Sequence, residues 1–143
     1  MQFADWAAVY ERHTDIPNVA VFYEQAQALQ ALLQTAAPSA EQQKDLDFVL
    51  TIGHLFSLVV YGQLILEQAA ITGLDDDLLN RIFDFQIRDF SGYAVSLYGK
   101  PTATTEQQAW ALGAVRRPVA DADSFDRVWQ QVKGLDGAYV MPA

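Results

Sequence analysis

Cysteine is absent from this 143-residue chain, which excludes disulfides, thiolate nucleophiles and cysteine-held metals outright. Basic residues are scarce: nine Lys and Arg stand against eighteen Asp and Glu, a net charge of −9. A surface of that sign repels a phosphate backbone and an anionic leaflet alike, so neither nucleic acid nor a membrane is expected as a partner. Histidine is limited to His13 and His54. A zinc site would need further His or Cys ligands, and a di-iron bundle would need Glu-x-x-His spacing that the chain lacks, so no metal is expected. No Gly-x-Ser-x-Gly elbow, phosphate-cradling glycine loop or dinucleotide fingerprint occurs. The N-terminal MQFADWAAVYERH has no basic segment leading into an apolar one, so a cytoplasmic protein is expected.

What the chain has is apolar mass. Half of it, 51%, is hydrophobic, with eight Phe, six Tyr and three Trp, enough for a single domain over 1–143 to bury a core without staples. One run dominates. From Phe48 to Leu66, FVLTIGHLFSLVVYGQLIL, there is no charge, and the length suits a bilayer. Thr51, His54, Ser57 and Gln63 interrupt it and no basic flank orients it, so it is read as the core helix of a soluble bundle.

Periodicity supports helices throughout. Phe3, Trp6, Val9 and Tyr10 fall at helical spacing before the turn residues TDIPN from Thr14 to Asn18. Val19, Phe22, Ala26, Leu29, Leu33 and Ala36 line one face of a second helix that Pro38 ends. Ser39 and Gln42 form a capping-box pattern opening a third helix that runs to about Ile71, stopped by Thr72 and Gly73. On that helix Asp47, Thr51, His54, Tyr61 and Gln68 fall along one polar stripe, so neighbours are expected to cover most of the remaining surface. The acidic run Asp75, Asp76 and Asp77 suits the positive end of a fourth helix reaching about Gly99. Its Asp77, Arg81, Asp84 and Arg88 are spaced as ion pairs on a face that is solvated or meets a partner. Thr104 and Gln107 cap a fifth helix that stops at Arg116, Arg117 and Pro118, and Ser124 caps a sixth through Phe125, Val128, Trp129 and Val132. Leu135, Tyr139 and Val140 are placed to strap across the bundle. The expected fold is an all-α antiparallel bundle of about six helices with a long buried central helix.

Chemistry-bearing candidates are few, and each has a structural alternative. His54 suits a ligand or general base by residue type, or is simply a structural histidine. Gln63, Gln86 and the edge residue Asp89 need partners if buried; such groups read a ligand or bond across helices and fix register. Arg116 and Arg117 are the clustered positive charge, fit to hold a phosphate or carboxylate or to complement a helix C-terminus.

The segments LFSLVVYGQLILEQA, DDDLLNRIFDFQIRDFSGYAVSLYGKP, EQQAWALGAVRRP and FDRVWQQVKGLDGAYVM resemble the C-terminal helical region of bacterial acyl-CoA dehydrogenases, from about Leu55 to the end. In that family the region is a helical bundle that packs subunits together and, with preceding domains, encloses FAD and an acyl-CoA. This chain has no room for those domains, and no catalytic glutamate is carried over onto Glu67 or Glu106. The resemblance implies an interaction or oligomerisation module, not catalytic alone, acting as a homo-oligomer or with a dehydrogenase partner chain. It leaves two alternatives. One is a component that completes a flavin site with that partner, FAD being held only then, with Arg116 and Arg117 as anion contacts. The other is a bundle that binds a small acyl ligand around His54, Gln63, Gln86 and Asp89.

Overall fold

A computed structural model describes residues 5–138 and 140. Among them the fold is all-helical: α1 (Trp6–Glu11), α2 (Pro17–Thr35), α3 (Leu46–Thr72), α4 (Asp76–Tyr98), α5 (Thr105–Ala114) and α6 (Ala122–Gly134), with a single 3-10 turn at Gln42–Lys44. Phe3 and Tyr139 lie outside the described residues.

Short polar side chains set most of the starts. Asp5, Asp45, Asp75, Thr104 and Asp121 occupy the N-cap positions of α1, α3, α4, α5 and α6 and accept the orphan amides of the first turn. At α2 the backbone is preset instead by Pro17 at the first helical position. Thr104 and Gln107 form the full reciprocal box. Ser39 and Gln42 form one too, at 2.9 and 3.2 Å, but it closes only the 3-10 turn. The long helix starts later, at Leu46, because Asp45 breaks the turn in extended backbone and caps α3 in its place. Likewise α6 is capped by Asp121, not by Ser124, whose side chain is buried. Gly73, at φ 70°, ends α3 in the left-handed region that glycine enters without strain.

Helix α4 makes the most extensive contacts, packing against α2, α3, α5 and α6. Its Phe83 and Phe90 meet Phe22 of α2 edge-on, with centroids 5.5 and 5.9 Å apart, a preferred aromatic geometry. Around them Tyr10, Phe48, Leu55, Leu66, Ile87 and Leu97 are fully buried. Buried amides bridge the helices. Asn18 donates to the carbonyl of Asn80 and accepts the amide of Val119 at 2.7 Å. Gln25 reaches both Ser91 and the last carbonyl of α5 at 3.0 Å, and Trp110 donates to the Ala28 carbonyl at 2.7 Å.

The long helix is partly buried. Neighbours cover one stripe, Phe48, Thr51, Leu55, Val59, Gly62, Leu66 and Ala69, and they do not reach round most of the circumference as its apolarity suggested. Of the polar stripe, Asp47, His54, Tyr61 and Gln68 are exposed; Thr51 alone joins the buried one, its hydroxyl satisfied by the Asp47 carbonyl at 2.9 Å. The closest packing falls at Gly62, where an added Cβ would lie 2.3 Å from the Tyr10 hydroxyl and 3.1 Å from Phe22. That hydroxyl donates to the Val59 carbonyl at 2.7 Å, and burial pushes its phenol pKa far above the usual value. The expected strap does not bury itself: Leu135 and Val140 are exposed.

Candidate functional site

The sequence candidates do not converge. His54 and Gln63 project from opposite sides of α3, nine residues and about half a turn out of phase. His54 is exposed and stacks flat on Tyr93 of α4, with centroids 4.6 Å apart and planes 10° apart. Gln63 donates to Glu67 at 3.3 Å on its own helix. Gln86 is buried, and its side-chain oxygen finds no partner among the described residues. Asp89, one turn on, is exposed, so it carries no burial cost to be met by a ligand.

The arginines are placed as a helix terminus. Arg116 turns its guanidinium back onto the carbonyls of Gly113 and Val115 at the end of α5 and lies 3.7 Å from Glu24. Its backbone exchanges two 3.0 Å hydrogen bonds with the hydroxyl of Ser91. This is the dipole-complementing arrangement. Arg117 is exposed beside it. Among the described residues no group of three or more His, Asp or Glu gathers where it could hold a metal ion.

What stands out is apolar surface with no cover. On α3, opposite the buried stripe, Leu46, Leu50, Val60, Leu64 and Ile71 line the solvent side with Val49 and Phe56 at its flank. Leu50, Phe56 and Leu64 are 52, 56 and 53% exposed, whereas a long apolar side chain normally escapes water. In the most apolar 18-residue window of α3 the mean hydropathy is 1.8 and only 33% of residues are buried, so by length and composition α3 is able to cross a membrane. At the middle of the solvent side sit Gly53 and Ser57. Nothing lies within 4 Å of a Cβ placed on Gly53, and the Ser57 hydroxyl is already bonded to the Gly53 carbonyl at 2.7 Å.

The Phe56 flank continues into a groove of about 480 Å³ between α2 and α3, closed by Trp6 and lined by Leu29, Leu33, Phe56, Val60 and Gln63. A second apolar groove of about 300 Å³ lies between α4 and α6, lined by Phe85, Phe125, Trp129 and Val132. There α6 buries only Ser124. It is held to α4 by a two-pronged Arg127–Asp77 pair at 2.5 and 2.8 Å and by Gln131 on Asp75. The charged face of α4 therefore meets α6 at Asp77, while Asp84 pairs with Arg81 and Arg88 along its own helix. Sequence reasoning missed the solvent side of α3 because, away from the polar stripe, buried and open sides of the run read alike as apolar. The signal available was the pair of small residues at i, i+4 amid large ones.

Compared with known proteins, the chain matches no family model, no curated protein and no solved structure.

Proposed function

We propose that this chain is a non-catalytic helical module that acts by association, first of all with further copies of itself. The observation that carries this reading is the concentration of large apolar side chains on the open side of α3. Contiguous exposed apolar surface of this kind marks contact sites, and a contact that covered it would recover roughly 25 cal/mol for each Å² removed from water. The arrangement of the polar groups supports the same reading: the chemistry-bearing side chains are dispersed, and those that bond do so within the bundle. The resemblance to the helical tail of acyl-CoA dehydrogenases, where such a bundle packs subunits, agrees with it.

Sedimentation velocity from low micromolar to near-millimolar concentration tests the reading. A concentration-dependent shift to a species larger than the 15.9 kDa chain is expected; a single monomeric boundary throughout overturns it. The groove beside Trp6 favours a second reading, an apolar small-molecule site, since its size suits one chain-like ligand. A fluorescent fatty-acid probe that saturates with one-to-one stoichiometry, and that Phe56→Glu abolishes, would support this alternative.

A further inference from the structure

We infer that the open face of α3 is a two-fold contact between two copies of this chain, with the helices crossing antiparallel at Ser57. The inference rests on the association reading and adds which surface is used, in what register and with which partner.

Charge selects the occupant and the register together. Elsewhere the protein is acidic, with a net charge of −9, so two copies repel unless they meet where charge is absent. From Phe48 to Leu66 there is none, and the midpoint of that run is Ser57. A dyad at Ser57 therefore overlays the whole uncharged length of one helix on that of its partner and leaves the acidic termini of both outside it. Asp47, at the edge, is already paired with Lys100 at 2.5 Å.

The steric pattern agrees. In that register Leu50 lies opposite the partner's Leu64, and the empty space over Gly53 lies opposite the partner's Val60 and the partner's Tyr61. Small residues where two helices cross let the backbones approach closely. At the dyad, the Ser57 hydroxyl is satisfied within its own helix, so covering it leaves no buried polar group without a bond.

The area suits a weak contact. The uncharged run from Phe48 to Leu66, at about 1.5 Å per residue, is roughly 28 Å long. At a width of one to two helix diameters, about 10 to 20 Å, it offers on the order of 300 to 550 Å² per copy, the size of a weak, concentration-dependent interface. An anionic lipid surface is a poorer occupant, being repelled by the same net charge, and α3 carries no Lys or Arg to anchor it.

The absence of cysteine makes a clean test possible. Ser57→Cys introduces a single thiol close to the dyad, and mild oxidation should link two copies covalently; Phe85→Cys, on the α4 side, should stay unlinked. Gly53→Gln adds a side chain whose Cβ meets nothing within 4 Å inside one copy and which fills the space reserved for the partner. It should raise the dimer dissociation constant by roughly tenfold or more while helicity by circular dichroism is retained. Wild-type protein that is monomeric overturns the association reading itself. A dimer that Gly53→Gln leaves at unchanged affinity, or that Ser57→Cys fails to cross-link, overturns this interface alone. Flotation of the chain on uncharged phosphatidylcholine vesicles with loss of the dimer assigns the face to lipid and overturns it too.

Discussion

At the residue scale the tightest constraint is Gly62. Its missing side chain is what allows the Tyr10 hydroxyl to reach the Val59 carbonyl and the ring of Phe22 to close on α3. Replacing Gly62 with Ala forces a methyl into that contact. Although Ala is the better helix former, overpacking of about 1 to 3 kcal/mol should win, read as a lower midpoint in urea or heat. Gly53 makes the opposite case on the same helix. It faces open space, so Gly53→Ala should raise the stability of a single copy by about 0.5 to 1 kcal/mol through helix propensity alone. The two glycines are indistinguishable in sequence, nine residues apart in one apolar run. What separates them is which neighbour stands over each, and that is decided by tertiary packing. The amide bridges were partly hidden for the same reason: Gln25 sits among Gln residues of like appearance, yet its side chain is the one turned inward to Ser91.

At the element scale, caps and periodicity were legible because they are local. The Asp75 start of α4, the Thr104 box of α5 and the glycine stop of α3 all arise from side chains within a turn of the boundary. The start of α3 was misplaced because Ser39 does form its box, on a turn too short to propagate. Helix α6 is the element held least by burial and most by charge. The Arg127 guanidinium hydrogen-bonds the Asp77 carboxyl and holds its pKa down at about 2, below the ordinary 3.8. A carboxylate depressed in the folded state contributes stability above its unfolded pKa, and that contribution fades as pH falls from about 3.8 through about 2. Acidification across that window should loosen α6 and change the emission of Trp129, which lies half-exposed in the groove between α4 and α6. The effect is small, because the pair is open to water. Asp77→Asn should remove the acid-dependent step while leaving the rest of the titration in place. An identical titration in that variant would contradict the assignment.

At the scale of the whole molecule, the six helices of the described residues suffice to bury the aromatic core around α4, and among those residues α3 is covered on one side only. The sequence identified the long uncharged run and its polar stripe without showing which part of the remaining apolar circumference stays open, since only packing divides it. His54, Gln63, Gln86 and Asp89 looked like a set because each was polar on an apolar background; in the fold one stacks on Tyr93, one bonds to its own helix, one is buried and one faces water. The dispersed chemistry-bearing groups and the concentrated apolar surface are what support the proposed association. The proposed association is tested most directly by the solution mass of the wild-type chain beside Gly53→Gln, measured by sedimentation equilibrium at the same concentration. Twice the 15.9 kDa chain mass for the wild type, with the variant shifted toward a single copy, is the predicted result. Equal masses for the two proteins, whether monomeric or dimeric, would contradict it.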